Sequence, residues 1–337
     1  MNWRTAAEVL FCPPKLLRPG EKCQGWPMDI FAKFTTIFVD MILPLVVGYL
    51  WRRFDWPGAW LFNWLISLGI ILLFPVMTAF SVWGLKPVFD LVWLPAFGVL
   101  LHLLPGGLAL LWGRRKYQSS LDYGSYTIAG FLSNHVTLGS LSAYILYGEI
   151  GYAYTQMALL FNSLLMFGFA YPLAQHYRNC HEHGRGMRLD YRQIIFNRNQ
   201  MPLVGLIVGV LLNGLAVPRP VGFLPVFDLM VHFSAWTFLV PVGYSMDFGE
   251  VRQYWRDALD ITIIKCVITP VLAGGLARWL IHDEIAFRTV ILLAAQPTAV
   301  NAVIAMKLFG LNLHLSVGAF VVSTAVYLLL IFPAFFL

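Results

Sequence analysis

The chain has 337 residues, of which 59% are hydrophobic and only 12% are charged, and its mean hydropathy is +0.70. A soluble globular domain carries about twice that share of charged residues, so the composition indicates an integral membrane protein. The net charge of +6 comes from Lys and Arg in short segments between apolar stretches. Such charges orient a membrane protein, and they do not indicate a nucleic-acid partner.

The first 29 residues are rich in Pro, Gly and charge, and we expect them to form an extracytoplasmic tail. They contain no apolar run long enough for a cleaved signal peptide. Two of the four cysteines, Cys12 and Cys23, lie in this tail, and the other two are Cys180 and Cys266. No CxxC or Cys/His zinc spacing occurs, so we expect no metal site, and no cofactor beyond a proton or sodium gradient.

Ten apolar stretches follow the tail, and we number them as segments 1 to 10. About 20 helical residues cross a bilayer, so each stretch is a candidate span. Segment 6 is the shortest, which leaves counts of nine or eleven open. The segments cover residues 30–51, 59–82, 91–112, 125–147, 152–175, 200–217, 223–246, 258–280, 287–309 and 313–337.

The loops between segments alternate between two faces, and one face collects most of the positive charge. The positive-inside rule makes that face cytoplasmic, so ten spans place both termini outside the cytoplasm, across a plasma membrane or bacterial inner membrane. Cys12 and Cys23 then lie in an oxidising compartment, where they are candidates for a disulfide. The sequence does not decide whether the two are paired. The basic residues of the cytoplasmic face are Arg52, Arg53, Arg114, Arg115, Lys116, Arg178, Arg185, Arg188, Arg192, Arg198, Arg252 and Arg256.

Residues 176–199 form the longest loop, and they divide the chain into a first half, 30–175, and a second half, 200–337. Three histidines lie near Cys180 in this loop. Their spacing matches no standard zinc pattern, so we interpret the loop as a basic cytoplasmic linker. The histidines are His176, His181 and His183.

Segment 9 carries polar residues at its middle, in the stretch VILLAAQPTAVNAVIAMKLF that begins at Val290. Pro297 removes a helical donor and crowds the preceding turn, which frees carbonyl groups that lipid cannot satisfy. Secondary transporters build binding sites from helices interrupted in this way. A proline kink packed by neighbouring helices is the alternative. The polar residues beside the proline are Gln296, Thr298 and Asn301.

The two halves of the chain resemble each other. Gly48 of segment 1 matches Gly209 of segment 6, and Pro57 matches Pro218, while three further patches recur in the same order. Because each half has five segments, the second copy enters the membrane from the opposite face, which predicts inverted repeats. Coincidence of apolar composition is the alternative.

The repeat pairs segment 9 with segment 4, YTIAGFLSNHVTLGSLSAYILYG. Asn134 falls at the position of Gln296, and Gly139 at that of Asn301. Two interrupted helices in matching halves would cross near the midplane, with helix N-termini that favour an anion. Their amide side chains can donate hydrogen bonds to a carboxylate. The polar middle of segment 4 consists of Ser133, Asn134, His135 and Thr137.

Four patches of the chain resemble the auxin efflux carrier family, the PIN-like carriers of the bile acid/sodium symporter superfamily. The resemblance covers about residues 34–337. The patches are VVGYLWRRFDWPGAWLFNWLISLGIILLFP, SNHVTLGSLSAYILYGEIG, PLVGLIVGVLLNGLAVPRPV, and QPTAVNAVIAMKLFGLN with the closing STAVYLLLIFPAF.

The resemblance implies an all-α membrane protein of ten transmembrane helices in two inverted five-helix repeats, with crossed, broken helices 4 and 9. Segments 1, 2, 6 and 7 would form a scaffold. Segments 3–5 and 8–10 would form a transport domain that carries an organic anion by an elevator-type movement. The implied substrate site maps onto Ser133, Asn134, Gly139, Gln296, Pro297, Thr298 and Asn301.

The chain departs from the family pattern on helix 4, where a proline is missing. We expect a softer break there, held by Gly139 and Ser140. This departure affects the identity of the substrate more than the fold.

Ionisable residues inside apolar segments are costly, and they are therefore candidates for ion or proton coupling. His135 lies beside Asn134 and is the first candidate, because an unperturbed histidine titrates near neutrality. Asp228 and His232 share a helix face and suit either a proton relay or a structural pair. Lys265 either snorkels to the cytoplasmic face or, if buried, provides a counter-charge for a carboxylate. The remaining ionisable residues of the segments are Asp40, His102 and Lys307.

The sequence therefore predicts a secondary transporter, with a small organic anion and the lipid bilayer as its partners and no enzymatic activity. No protease, hydrolase or nucleotide-binding motif occurs in it. A sodium-coupled symporter of the bile acid type and a non-transporting membrane sensor are the alternatives. The sequence leaves open the substrate, the transport direction and the coupling ion. It also leaves open whether the protein forms a homodimer or another oligomer.

Overall fold

The computed structural model describes residues 35, 38–54, 59–85, 89–183, 201–220, 222–245 and 251–336, and every regular element in them is helical. We number the main helices α1 to α11 in chain order. They are α1 Phe38–Trp51, α2 Trp60–Trp83, α3 Trp93–Lys116, α4 Ser120–Phe131, α5 His135–Glu182, α6 Met201–Gly214, α7 Phe223–Ser245, α8 Tyr254–Leu280, α9 Glu284–Ala294, α10 Val300–Phe309 and α11 Leu313–Ala334.

Six of these helices are long and apolar enough to cross a membrane: α2, α3, α5, α7, α8 and α11. Shorter apolar helices are α1, α10 and most of α6. The expectation of an all-helical membrane protein is thereby confirmed for the residues that the structure describes. The count of ten spans and the inverted repeat stay predictions. The tail with Cys12 and Cys23 lies outside the described residues.

Glycines bring the helices of segments 1 and 7 into very close contact, and likewise those of segments 6 and 2. A Cβ atom on Gly48 of α1 would lie 2.0 Å from the carbonyl oxygen of Val240, and one on Gly243 of α7 would lie 2.1 Å from that of Leu45. In the second pair, a Cβ atom on Gly205 of α6 would lie 2.1 Å from the Pro75 oxygen. Such close approach is how membrane helices gain packing energy where lipid offers no hydrophobic drive.

Segment 4 is interrupted, but not where we expected. The helix ends at Phe131 and resumes at His135, and the residues around Gly139 and Ser140 are helical. The prediction that Gly139 and Ser140 hold the break is therefore wrong. The break lies at residues 132–134, because the backbone there finds hydrogen-bond partners in another part of the chain. Segment 9 is interrupted between Ala294 and Val300, at the predicted proline.

Helix α5 joins the second half of segment 4 to segment 5. It bends sharply at Gly148, whose φ of 64° belongs to the left-handed region that glycine adopts without steric cost. The helical conformation then continues to His183. The predicted linker 176–199 is thus helical over its first residues, and residues 184–199 lie outside the described part of the chain.

Candidate functional site

The two interruptions lie against each other and share backbone hydrogen bonds. The backbone N–H of Asn134 donates to the Pro297 carbonyl at 2.8 Å, and the backbone N–H of Ala299 donates to the Leu132 carbonyl at 2.9 Å. The two bonds form a single antiparallel bridge in which Ser133 pairs with Thr298. Each break therefore satisfies polar groups that the other has freed, which is what non-helical backbone at membrane depth requires.

Lys265 of α8 is fully buried against this bridge. Its Nζ donates to the Leu132 carbonyl at 3.0 Å and to the Ser133 hydroxyl at 2.7 Å. Snorkelling to the cytoplasmic face is therefore the wrong alternative for this residue. The carbonyl oxygen and the hydroxyl at the break replace water around the ammonium group. No carboxylate pairs with Lys265 in the described residues, so these two oxygen atoms are the hydrogen-bond partners that the structure gives its Nζ.

A cavity of about 160 Å³ lies between the bridge and helices α2, α6 and α7. Its walls are mostly apolar, and in the described part of the chain no Asp, Glu, Lys or Arg lines it. The polar groups in such a wall orient the ligand and determine which ligand fits. The polar lining residues are Thr78, His102, Ser133, Asn134, Thr137, Gln156, Asn162, Ser163 and Asn301.

Asn134 lines this cavity, and its side chain carries a buried donor without a partner among the described residues. Its side-chain oxygen accepts a hydrogen bond from the Thr137 hydroxyl, whereas its Nδ2 has no partner among the described residues although the residue is only 5% exposed. A buried amide donor without a partner costs about 1–3 kcal/mol, so a ligand that accepts from it gains that energy.

The N-terminus of helix α10 also faces the cavity. Ala299, Val300 and Asn301 form part of its wall, and α10 begins at Val300. The first turn of a helix has amide groups without intrahelical partners and the positive end of the helix dipole. Lys265 lies behind Ser133, which is also part of the cavity wall.

Three of the predicted substrate-binding residues line the cavity, namely Ser133, Asn134 and Asn301. Gln296 does not line it: its amide nitrogen donates to the Tyr327 hydroxyl at 2.7 Å and to the Leu292 carbonyl at 3.0 Å.

The remaining predicted site residues support the bridge rather than the cavity wall. The Thr298 hydroxyl donates to the Ala129 carbonyl at 3.2 Å, and Pro297 contributes its carbonyl to the bridge. Gly139 packs against Leu293 of α9, where a Cβ atom would lie 2.8 Å from a leucine methyl group.

Sequence reasoning missed Gln156 and Asn162, which line the cavity from α5. Gln156 donates to the Ser140 hydroxyl at 3.0 Å and accepts from the Thr78 hydroxyl at 3.3 Å, so it connects α5 to α2. The available signal was the presence of two amide side chains in an otherwise apolar segment, where polar groups are costly.

The two histidines near the bridge differ in position. His135 is buried and does not line the cavity, whereas His102 of α3 does. Their ring centroids lie 4.8 Å apart in an edge-to-face arrangement. His102, and not His135, is therefore part of the cavity wall.

Asp228 and His232 lie on α7, away from the cavity wall. His232 pairs through Nδ1 with buried Asp40 of α1, and its Nε2 lies 3.7 Å from Asp228. Asp228 accepts a hydrogen bond from the Tyr144 hydroxyl at 2.6 Å. This cluster connects α1, α7 and α5, and the role of the pair as a proton relay or as a structural pair stays a prediction.

These features define an all-helical membrane protein with a small, mostly apolar cavity where two interrupted helices meet. No family model matches the chain. The chain is 24% identical over 283 residues to an uncharacterized transporter of Methanothermobacter thermautotrophicus, in an alignment that covers 82% of this chain and 88% of that protein.

Proposed function

We propose that this chain is a secondary transporter that carries a small organic anion across the membrane by alternating access. The observation that carries the proposal is that Asn134 has a buried side-chain nitrogen without a partner and lines a cavity that has no acidic lining residue among those described. An anionic acceptor satisfies this donor and is not repelled by any neighbouring carboxylate.

The electrostatics of the site favour a negatively charged ligand. The Lys265 ammonium donates to Ser133, and Ser133 lines the cavity, so a positive charge lies one side chain behind the wall. A buried cation without a carboxylate partner is costly, and an anion in the cavity would offset part of that cost. The N-terminus of α10 adds a partial positive charge at the same end.

The size and the walls of the cavity favour a carboxylate with a small apolar body. A protein cavity of about 150 Å³ lined by apolar side chains accommodates benzene. The cavity here measures about 160 Å³, and Phe74, Phe238 and Met166 are part of its wall. Benzoate is therefore a suitable first probe, because it combines a ring of that size with one carboxylate.

Two features support the proposed architecture of inverted repeats, crossed helices and an elevator-type movement. Helix packing is exchanged between the halves, since α1 of the first half packs on α7 and α6 of the second packs on α2. The breaks in segments 4 and 9 meet in the bridge of Ser133 and Thr298.

The resemblance to the auxin efflux carrier family and the likeness to an uncharacterized transporter also support a carrier rather than an enzyme. The cavity lies between the bridge and α2, α6 and α7, which would be the boundary between a transport domain and a scaffold.

A sodium-coupled symporter is the second candidate, and one observation favours it. The side-chain oxygen of Gln296 is fully buried and has no hydrogen-bond partner in the described residues, so it can coordinate a cation or accept a hydrogen bond from the cation's water. The nearby ammonium of Lys265 disfavours a second cation at the bridge. Sodium dependence of uptake distinguishes the two candidates.

Uptake of radiolabelled benzoate into proteoliposomes, with an excess of unlabelled benzoate inside, tests the proposal. Exchange above that of empty liposomes, with competition by other monocarboxylates but not by benzamide, is the expected result. Binding of benzoate to the purified protein without exchange would favour a membrane sensor. Absence of both binding and exchange for a panel of monocarboxylates would contradict the proposal.

A further inference from the structure

Both ring nitrogens of His102 face hydrogen-bond partners in the interior of the protein. Nδ1 lies 2.9 Å from the carbonyl oxygen of Gly98, one turn earlier on α3. Nε2 lies 3.1 Å from the side-chain oxygen Oδ1 of Asn162 on α5. His102 and Asn162 both line the cavity, and His102 is 1% exposed. The histidine is thus held rigidly between one backbone group and one amide.

The two partners determine which nitrogen can exchange a proton. A carbonyl oxygen only accepts hydrogen bonds, so Nδ1 must carry a hydrogen in every state. Nε2 is therefore the nitrogen that gains or loses a proton, and it faces the amide of Asn162. That amide can serve both states, because it donates through its nitrogen to neutral Nε2 and accepts through its oxygen from protonated Nε2.

Turning the amide changes what Asn162 presents to the cavity. When its oxygen accepts from protonated His102, which is the orientation with Oδ1 toward Nε2 that the structure shows, its nitrogen is released as a donor. When its nitrogen donates to neutral His102, its oxygen is released instead. Protonation of His102 therefore replaces an acceptor at the wall by a donor, which is the group that a carboxylate needs.

The other titratable groups that face His102 can only carry positive charge. They are His135, whose ring lies 4.8 Å away, and Lys265 of α8. No carboxylate in the described residues balances a proton on His102. The missing negative charge is what a substrate anion in the cavity would supply.

We propose that His102 is the proton-binding residue of this transporter and that proton and anion bind together. The inference rests on the proposed function, because the anion site is the one described above. A proton from solution, or from the acid form of the substrate, forms a bond to Nε2. Asn162 turns its amide nitrogen toward the carboxylate. Release on the other side of the membrane breaks the same N–H bond, so one proton moves with each monocarboxylate.

Linkage gives this proposal a quantitative consequence. If binding of the anion requires a proton, the dissociation constant rises up to tenfold for each unit of pH above the range in which the free protein is protonated. Benzoate has an ordinary carboxylic acid group, so it is ionised at every pH above about 5. The slope of the dissociation constant against pH is therefore a property of the protein.

The test is calorimetric titration of the purified full-length protein with benzoate at several values of pH from 5.5 to 8, in two buffers of different ionisation heat. The wild type should bind benzoate more tightly at low pH and take up about one proton per benzoate. His102→Gln should lose both the slope and the proton uptake. His135→Gln, and His181→Gln on the exposed end of α5, should keep the slope.

Asn162→Asp provides a second variant whose readout does not depend on His102 being replaced. A carboxylate at this position would hold the proton on His102 before any ligand arrives, so benzoate should bind weakly and without proton uptake. Benzoate binding that is independent of pH, or a slope that survives in His102→Gln, would overturn the inference and leave the proposed anion site intact. Absence of benzoate binding at every pH would contradict the proposed function, and the inference with it.

Discussion

The Nζ atom of Lys265 lies 2.7 Å from the hydroxyl oxygen of Ser133, so a fully buried ammonium on α8 holds the break in segment 4 in place. The next residue along the chain, Asn134, lines the cavity with an unpaired amide nitrogen. Two adjacent residues of the wall therefore differ in role: Ser133 accepts a hydrogen bond from Lys265, which lies behind the wall, and Asn134 carries the unpaired donor.

Replacing the charge should weaken anion binding while the protein stays folded. Lys265→Met keeps the length and the apolar stem of the side chain but removes the ammonium. We expect benzoate affinity to fall about tenfold, or about 1.4 kcal/mol, because a partly desolvated unit charge a few ångströms from an anion contributes at least that much. Isothermal titration calorimetry measures the change. Lys307→Met, on the exposed side of α10, is the matched control and should bind as the wild type does.

Replacing Gln296 should lower the free energy of unfolding but leave the KM for benzoate exchange nearly unchanged. Its amide nitrogen bonds Tyr327 and Leu292, so Gln296→Ala removes two buried hydrogen bonds and leaves a small void. A loss of about 1–3 kcal/mol in the free energy of unfolding follows, visible as a lower melting temperature in detergent. The KM for benzoate exchange should stay within about twofold of the wild type. A large rise in KM with unchanged melting would show that Gln296 contacts the substrate.

Adding a methyl group at the close contact between α1 and α7 should destabilise the protein. Gly243→Ala places a Cβ atom 2.1 Å from the Leu45 carbonyl oxygen, so the helices must separate. Overpacking of this kind costs about 1–3 kcal/mol. Gly275→Ala on α8 is the matched control, because a Cβ atom there meets nothing within 4 Å. Equal melting temperatures for the two variants would refute the close approach of α1 and α7.

The sequence indicated some features of this site better than others, and the reason is physical. The break in segment 9 could be predicted because Pro297 acts locally, by removing a donor from its own helix. The break in segment 4 could not be placed, because its position depends on backbone bonds to residues 297 and 299. Helical periodicity and composition contain no information about such a partner.

The direction in which a side chain points was the second feature that the sequence did not determine. Gln296 and Asn134 are both amides at matching positions of the two halves, yet Asn134 lines the cavity and Gln296 faces Tyr327. Lys265 was equally compatible with the cytoplasmic face and with the interior. Lys265 stays in the interior because the neighbouring break supplies oxygen atoms as its hydrogen-bond partners. Those oxygen atoms are brought to Lys265 only by the packing of the helices.

The most direct test of the central claim is the KM for benzoate exchange in proteoliposomes for wild type, Asn134→Ala and Asn134→Asp. Loss of one donor to a charged ligand costs about 1.5–3 kcal/mol, so Asn134→Ala should raise the KM by about tenfold or more. Asn134→Asp, which has nearly the same shape but repels an anion, should abolish exchange. Melting temperatures close to that of the wild type would show that both variants are folded. Exchange by both folded variants with the wild-type KM would contradict the account, because the cavity at the bridge would then not be the anion site.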